Sequence, residues 1–275
     1  MRKSKSLERI HNTEREFHDQ LAEKTKLSQI NIRGIFEAET APETRYAYSK
    51  MENISNKRIL DLGCGTGEAS LYFAMKGAAR IDAIDIAPKM INILKRMAAI
   101  KKYSKKIKPE VMLAEKLSYP NNTFDIVYGR GVLHHVEMGK ALEEVYRVLK
   151  PGGVATFIEP LEHNPVINVY RKIAKDVRTP DETPLNYDKI NKITKAKFKS
   201  LIHDEFQFTT LLIMLWYFLV DRVNPNKERY WDKLINDSKN KATFFRFLNG
   251  VDRLIFKMIP YLRRYSWYTV LVYTK

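Results

Sequence analysis

The sequence predicts an α/β protein whose mostly parallel sheet is covered by helices on both faces. Between residues 57 and 160, short apolar runs alternate with amphipathic segments of helical length. Strands and helices that alternate in this way form right-handed βαβ units, which place consecutive strands parallel in one sheet. A glycine-rich turn after the first run and an acidic residue at the end of the second are typical of a ligand site at the carboxyl edge of such a sheet.

Each element of this core carries its own signal. The expected strands are apolar runs bounded by polar, glycine or proline residues, at 58–62, 81–86, 109–114, 124–128 and 154–158. The expected helices are the segments between them, at 67–76, 88–102 and 139–150. Proline is favoured in a first helical turn, so we expect Pro88 to begin a helix, and the Pro-Gly-Gly stretch at 151–153 to mark a helix stop.

The segments before and after the core differ from it in hydrophobic pattern and composition. Residues 1–50 are polar and helical in pattern, which predicts an N-terminal helical lid before a main domain over 51–275. After residue 160 the alternation stops. We expect a helix over 164–176, a turn-rich link over 178–184, a β-like run over 206–213 and a strand over 267–273. The last 75 residues hold 16 of the 31 aromatic residues, which predicts covering insertions at about 161–205 and 214–265.

Composition excludes several classes of protein. The single cysteine, Cys64, excludes a disulfide framework, a cysteine-rich zinc site and a cysteine-ligated iron–sulfur cluster. The N-terminal stretch has no apolar signal segment, and the longest apolar run, 211–220, is about half of the roughly 20 residues that span a bilayer. We therefore expect a cytoplasmic protein. The net charge is +16, of which +10 lies from Val166 onward, and it fits nucleic acid, an anionic membrane or simple solubility.

The segment DLGCGTGE at 61–68 is the most informative one. A strand leads into a loop with glycines at positions 63, 65 and 67, and a helix follows. Glu68 stands where a dinucleotide fingerprint has its third glycine, and a carboxylate at a helix start repels a pyrophosphate. This disfavours a nicotinamide oxidoreductase and favours a ligand without a pyrophosphate, with Asp61 able to pair with an ammonium group. A tight turn without a ligand is the alternative.

A second acidic position follows at the end of the next strand. Asp85 is placed there to hydrogen-bond both hydroxyls of a ribose that lies across the strand ends. Asp82 lies three residues earlier, in the middle of the strand, so its side chain has no route to that crevice.

With these segments in this order, the chain resembles the class I S-adenosylmethionine-dependent methyltransferases, close to the small-molecule group of the type 11 family. The resemblance rests on DLGCGTGE at 61–68, IDIAPKMI at 84–91, AEKL at 114–117 with FDIVYGRGVLHHV at 124–136, and RVLKPGG at 147–153. It implies a Rossmann-like, seven-stranded sheet with the last strand reversed. It also implies S-adenosyl-L-methionine as the methyl donor, over the strand ends, and S-adenosyl-L-homocysteine as the product.

The resemblance implies the cofactor contacts position by position. The glycine loop would hold the methionine part, Asp85 the ribose, and the residues after the third strand the adenine edge. Many relatives have an aspartate where this chain has Leu113, so the adenine amino group needs another acceptor, a backbone carbonyl or Glu115. The expected cofactor residues are Asp61, Gly63, Cys64, Gly65, Thr66, Gly67, Asp85, Ile86, Met90, Ala114, Glu115, Gly129 and Arg130.

The chemistry left open is direct methyl transfer to oxygen, nitrogen, sulfur or an activated carbon, without a metal. Such transfers depend on alignment and on exclusion of water. His134 and His135 follow the fourth strand and are the candidate general bases, although two neighbours cannot point in one direction. Glu159 and His163 are second-rank candidates.

The aromatic C-terminal part favours a small, apolar or aromatic, lipid-like acceptor. Two alternatives stay open: an RNA methyltransferase that uses the basic C-terminal portion, and a non-catalytic partner protein that binds the cofactor. No RNA-binding module is recognisable, so nucleic acid is disfavoured. We expect a monomer or homodimer. The basic residues Arg253, Lys257, Arg263 and Arg264 are interleaved with apolar ones and would suit peripheral contact with a membrane.

Overall fold

A computed structural model describes residues 2–174, 176, 178–179, 182–190, 198–226 and 228–275, with the side chains of residues 2–6 and 29 left aside. Seven strands of these residues form one sheet in the order β3-β2-β1-β4-β5-β7-β6. The strands are β1 (Arg58–Leu62), β2 (Arg80–Asp85), β3 (Ile107–Val111), β4 (Phe124–Arg130), β5 (Leu149–Pro160), β6 (Ser200–Phe206) and β7 (Tyr268–Thr274). The first five are parallel, and β7 is antiparallel to both of its neighbours. The predicted fold class is confirmed.

Helices cover the sheet and extend beyond it. In chain order they are α1 (Arg2–Lys24), α2 (Gly34–Glu37), α3 (Pro42–Ser49), α4 (Glu68–Met75), α5 (Pro88–Ile100), α6 (Met138–Val148), α7 (Pro165–Ile173), α8 (Leu211–Leu219), α9 (Tyr230–Asn236) and α10 (Ser238–Met258). Pro88 does begin α5, and Asn164 caps α7 by accepting a hydrogen bond from the backbone N–H of Ile167. No helix in the described part of the chain is long and apolar enough to cross a membrane.

The order of the strands fixes where a ligand can bind. The chain moves outward from β1 through β2 to β3 on one side, then returns to β4 and β5 on the other. The connections after β1 and β4 therefore diverge and leave a crevice at the carboxyl edge of the sheet. Register pairs Leu62 with Ile84 on one side and with Gly129 on the other, so three strand ends meet at this point.

The sequence prediction was wrong for the β-like run at 206–213. Strand β6 ends at Phe206 and α8 begins at Leu211, because the backbone turns sharply at Gln207, where φ is +64°. Asp252 of α10 fixes this corner by accepting hydrogen bonds from the N–H groups of Phe208 and Thr209. Helix α8 is apolar nearly all round, and a short apolar run of this kind cannot be told from a strand by periodicity.

Other boundaries moved by a few residues. The third strand ends at Val111 rather than at residue 114, and β5 extends from Leu149 to Pro160 instead of 154–158. Parts of the expected elements lie outside the described residues. These are residue 175 of the 164–176 helix, residues 180–181 of the link, and residues 191–197 of the first insertion.

The C-terminal insertion has its own apolar core. Helices α7 to α10 pack around Trp267, which precedes β7 and stacks on Tyr230 with ring centroids 5.2 Å apart. Phe245 of α10 is fully buried in this cluster, while its neighbour Phe244 is 51% exposed. The insertion is thereby anchored to the end of the sheet that carries β7 and β6.

Replacement of Phe245 by alanine is expected to lower the free energy of unfolding by about 3–5 kcal/mol, because it leaves a cavity in a packed cluster. Phe244→Ala is the matched control, since it removes the same atoms from a half-exposed ring, and it should cost less than about 1 kcal/mol. Guanidinium unfolding followed by circular dichroism measures both. Equal losses in the two variants would mean that the insertion does not pack as described.

Candidate functional site

A cavity of about 1370 Å³ opens at the carboxyl edge of β1, β2 and β4. Its floor is the glycine loop after β1 and the ends of the neighbouring strands. Its walls come from α1, from the segment before α3, from residues 112–115, from the turn after β4, and from α9. The cavity lies at the point where the chain order of the sheet reverses, which is where α/β proteins bind their ligands.

The glycine loop forms the floor through an unusual backbone. Gly63, Gly65 and Gly67 all have positive φ angles, of +70°, +51° and +92°, which side-chain-bearing residues rarely adopt. A Cβ atom on Gly65 would meet no protein atom within 4 Å, whereas one on Gly67 would lie 2.2 Å from Cδ1 of Leu94. Gly65 therefore leaves open space toward the cavity, and Gly67 permits the close packing of α4 on α5.

Asp85 connects this loop to the end of β2. Its Oδ2 accepts a hydrogen bond from the N–H of Gly65 at 2.9 Å, and its Oδ1 accepts one from the N–H of Ala87 at the same distance. The side chain borders the cavity and is 8% exposed. Burial raises the pKa of Asp85 above its usual value, although the backbone N–H groups oppose this shift.

Two more carboxyl groups belong to the loop region, the buried Asp61 and the half-buried Glu68. Asp61 accepts a hydrogen bond from Ser70 Oγ at 2.6 Å, and burial raises its pKa to about 7. Glu68 accepts one from Thr66 Oγ1 at 2.6 Å, and burial raises its pKa as well. Three carboxyl groups whose charged forms are destabilised by burial favour a ligand that brings positive charge to this part of the cavity.

A further part of the cavity lining lies after β2 and β3 and is mostly apolar. Ile86, Met90 and Ala114 line it beside Glu115. Glu115 Oε1 lies 3.0 Å from Nε2 of His11 and accepts the N–H of Glu137 at 3.1 Å. Its Oε2 is buried without a hydrogen-bond partner among the described residues. A buried carboxylate oxygen without a donor fits the amino group of an adenine, for which Leu113 offers no acceptor.

The two candidate histidines have different positions. His134 is buried and does not line the cavity; its Nδ1 lies 2.6 Å from Glu159 Oε2. Glu159 Oε1 accepts the N–H groups of Val132 and Leu133. Burial lowers the pKa of His134 to about 3 and raises that of Glu159 to about 7, so the ring is neutral near pH 7 and shares a hydrogen bond with the Glu159 carboxyl group. This pair holds the turn after β4 and is structural in its geometry.

His135 is the member of the pair that lines the cavity. Its Nδ1 lies 3.0 Å from Oε1 of Glu14 on α1 and 3.3 Å from Oγ1 of Thr179. Burial and the neighbouring His134 ring lower the pKa of His135 to about 4, which keeps the imidazole neutral near pH 7. Burial opposes ionisation of Glu14, but contacts with His135 and His18 outweigh it and lower the pKa of Glu14 to about 2.

Helix α1 closes one side of the cavity through polar contacts. Besides Glu14, its His11 reaches Glu115, and Asp19 accepts the N–H of Lys89 at the start of α5. Phe17 and Leu21 add apolar surface to the wall. These contacts connect α1 to the ends of β2 and β4, where the loop and the histidine turn lie.

Arg130 is one of three basic residues that line the cavity, together with Lys24 and Arg229. Its guanidinium carbon lies 3.8 Å from the centroid of the Trp231 ring on α9, and its Nη2 lies 3.6 Å from Oε1 of Glu43 on α3. A hydrogen bond to Thr44 also orients it. Glu43 is fully buried and accepts a hydrogen bond from Gln207 at 3.1 Å. Arg130 therefore connects β4 to the N-terminal helices and to the C-terminal insertion.

Most of the predicted cofactor residues border the cavity. They are Asp61, Gly63, Cys64, Gly65, Thr66, Asp85, Ile86, Met90, Ala114, Glu115 and Arg130. Gly67 and Gly129 do not line it. A Cβ on Gly129 would lie 2.7 Å from Cδ1 of Phe157, so this glycine allows close packing of β4 on β5. Glu159 and His163 lie outside the cavity.

Trp231 belongs to the aromatic C-terminal part that the sequence predicted as a cover for the acceptor, and it lines the cavity. Sequence reasoning missed other residues that line or support the site, namely Glu14, His18 and Glu43. They lie in helices far from the glycine loop in sequence, and no local motif distinguishes them. For α1, the one available signal is a charged face that is partly buried, which indicates that this helix packs on the protein and does not only face solvent.

One group of described residues has a metal-ligand composition. Ligand atoms of His134, His135 and Glu182 lie within 4.8 Å of one another. Each has a protein partner already, because Glu159 and Glu14 contact the histidines and Arg178 pairs with Glu182. The group is therefore accounted for as a hydrogen-bonded network.

A parallel sheet of this order, with a glycine loop and acidic strand ends around one crevice, defines a class I methyltransferase fold. Residues 59–153 match the family model described as a methyltransferase domain. Residues 59–153 therefore form a methyltransferase domain, and the motifs at 61–68, 84–91 and 124–136 agree with the class I S-adenosylmethionine-dependent group that the sequence predicted.

Known methyltransferases are similar to this chain both in sequence and in fold. The chain is 33% identical over 118 residues to a ubiquinone/menaquinone biosynthesis C-methyltransferase from Geotalea daltonii, covering 42% of this chain and 50% of that protein. It is 36% identical over 98 residues to phosphoethanolamine N-methyltransferase 3 from Arabidopsis thaliana, covering 35% and 20%. The chain thus spans half or less of these relatives. The fold is similar to an S-adenosylmethionine-dependent methyltransferase from Mesorhizobium loti, with a TM-score of 0.53, 16% identity, and 85% and 97% coverage.

A paired glycine substitution tests the role of the loop. Gly65→Ala should keep the fold at a cost of about 1–2 kcal/mol for the positive φ, yet weaken S-adenosylmethionine binding at least tenfold, because the new methyl group projects toward the ligand. Gly67→Ala should destabilise the protein more, since its Cβ overlaps Leu94. Calorimetric titration and thermal unfolding measure the two effects. A folded Gly65→Ala protein with unchanged affinity would contradict this assignment.

Proposed function

We propose that this protein transfers the methyl group of S-adenosylmethionine to a small, apolar or aromatic acceptor. The observation that carries this proposal is one continuous cavity of about 1370 Å³, which exceeds the roughly 300–1,000 Å³ of pockets for a single small ligand. It joins the glycine loop and Asp85 to a second wall of apolar side chains. That wall consists of Phe17, Leu21, Ile30, Ile35, Trp231 and Ile235.

The residues of the cavity fit S-adenosylmethionine. Asp61 and Glu68 lie where a cationic ligand offsets the cost of their buried charge. Asp85 borders the cavity with both oxygens already oriented by backbone N–H groups, which suits two ribose hydroxyls. The unpartnered Oε2 of Glu115 suits the adenine amino group. When bound, the cofactor supplies a methyl group on a positively charged sulfur.

The residues of this chain would then orient the acceptor and manage its proton. His135 is neutral, borders the cavity, and is held by Glu14, so it is the candidate to accept a proton from a hydroxyl or an acidic carbon. His134 lies behind the turn and would act only by positioning His135.

Charge in the cavity favours some acceptors over others. Eight acidic side chains line the cavity against three basic ones, Lys24, Arg130 and Arg229, and this excess of carboxyl groups disfavours a phosphate group. This favours an uncharged acceptor, such as the quinone-type substrate named for the Geotalea relative, over a phosphorylated amine. An RNA acceptor is disfavoured on the same ground.

The assay is transfer of tritium from labelled S-adenosylmethionine to a panel of demethylated quinones and phenols, with phosphoethanolamine and RNA as alternatives. Asp85→Ala should weaken cofactor binding by about 1.5–3 kcal/mol, since charge-assisted hydrogen bonds are lost. His135→Gln should lower kcat while cofactor affinity stays unchanged. Asp221→Ala, a surface change outside the cavity, is the control. Methylation of RNA, or of phosphoethanolamine alone, would overturn the proposed acceptor class.

We also propose that α1, within the N-terminal segment 1–50, is a lid that excludes water from the reaction. Its contacts with Glu115, His135 and Lys89 support this role. Hydrogen exchange in residues 7–24 should slow when S-adenosylhomocysteine is added, because the ligand adds contacts beneath the helix. Exchange in α6, outside the cavity wall, is the internal control. Exchange in α1 that is indifferent to the ligand would refute the lid.

A further inference from the structure

Helix α10 has two apolar faces, and only one of them is used by the fold. Phe245, Leu248 and Phe256 point into the core of the insertion and are buried. On another face, apolar side chains recur at helical spacing and remain exposed, at positions 244, 247, 254 and 258, with Phe247 65% exposed. The outer face of a surface helix is normally polar, so an apolar outer face indicates a surface that contacts something other than water.

Helix α8 extends this surface. Its exposed apolar residues also repeat at helical spacing, at positions 212, 216 and 219, with Leu219 74% exposed, and position 220, directly after the helix, is exposed and apolar as well. The two helices adjoin, because Lys241 Nζ of α10 lies 5.9 Å from the centroid of the Trp216 ring on α8. We call these eight positions of α8 and α10 the apolar face of the insertion.

Positive charge borders this face. Helix α10 carries five basic residues, Lys239, Lys241, Arg246, Arg253 and Lys257, against one acidic residue. That residue, Asp252, is buried, and its carboxyl oxygens accept hydrogen bonds from the N–H groups of Phe208 and Thr209. Lys239, Arg246 and Lys257 are exposed along the helix.

Three of the four basic residues that the sequence suggested for membrane contact form ion pairs within the fold. Of the four expected at a membrane, Arg253 and Arg263 pair with Asp204, at 2.5 and 2.8 Å, and Arg264 pairs with Asp188. Their charge is largely offset inside the fold. Lys257 is the one of the four that contributes to the positive border of the apolar face.

We propose that the apolar face of the insertion docks on the surface of an anionic lipid bilayer, with α10 in the plane of the interface. Exposed aromatic and aliphatic residues flanked by lysine and arginine are the composition of interfacial helices, and the positive border complements anionic headgroups. The same border repels a second copy of this chain. Five of the eight residues of this face are leucine, valine or methionine, whose side chains stack poorly on RNA bases.

The position of this face gives docking a consequence for the cavity. A single residue, Asp237, separates α9 from α10, and Trp231 and Ile235 of α9 line the cavity wall. Docking would therefore hold that wall close to the bilayer. If the proposed function holds, an apolar acceptor could reach the cavity from the lipid phase without crossing water.

Sedimentation of the full chain with lipid vesicles tests the proposal. Binding is expected to vesicles of phosphatidylcholine with about one third phosphatidylglycerol, to be weak with phosphatidylcholine alone, and to fall severalfold between about 0.1 and 0.5 M salt. The double variant Phe247→Glu with Leu254→Glu should lose at least tenfold in vesicle partition. Both residues are exposed, so the fold is expected to persist.

The matched control is Ile100→Glu, a 61% exposed apolar residue at the end of α5, near the opposite end of the sheet. It should bind vesicles like the unaltered chain. Lys257→Glu with Arg246→Glu should lose binding to anionic vesicles only. Absence of vesicle binding, or equal losses in the control, would overturn the proposal. So would a dimer in ultracentrifugation that the double variant abolishes, because the face would then join two copies. The double variant should bind the cofactor with unchanged affinity. Loss of vesicle binding alone then reports on the docking face, whereas loss of cofactor binding would report on the site of the proposed function.

Discussion

The site depends on the side chain of Asp85 and on the hydrogen bonds that its two oxygens accept from two backbone N–H groups. Gly65 belongs to the loop after β1 and Ala87 to the start of α5, so one side chain joins two neighbouring βα connections. The backbone adds a second tie, since the N–H of Cys64 donates to the carbonyl of Ile84 at 2.8 Å. The positive φ angles of the loop are maintained by these bonds. Without them, the loop would lose the shape that opens space above Gly65.

A second layer of the site is built from pairs of histidine and carboxylate. Glu159 fixes the turn after β4 from within the core, and Glu14 reaches the same turn from α1. The turn is thus held from below by the sheet and from above by the N-terminal helix. This arrangement makes the position of His135 depend on α1, so that a movement of the helix would also change the environment of its imidazole.

The sequence predicted those parts of the molecule whose physics is local. The glycine loop, the place of Asp85 at a strand end and the alternation of strands and helices over 57–160 follow from short local patterns in the sequence. The run at 206–213 failed because its structure is decided by Asp252, more than forty residues away, which stabilises a corner that the run itself does not encode. Glu14 and Glu43 were missed for the same reason. They reach the cavity through tertiary packing, and their own surroundings in sequence are ordinary.

The interior position of β7 has a consequence for how the chain is synthesised and folded. β7 is the last strand in sequence, yet it pairs with β5 on one side and β6 on the other. The parallel part of the sheet therefore leaves the ribosome with the edge of β5 unpaired, and β6 has no neighbour when it emerges. At about 5–20 residues per second, the stretch from Pro160 to Tyr268 takes roughly 5–20 s to translate. During that interval an apolar strand edge is open to wrong pairing, and this is the period in which a chaperone would matter most for this protein.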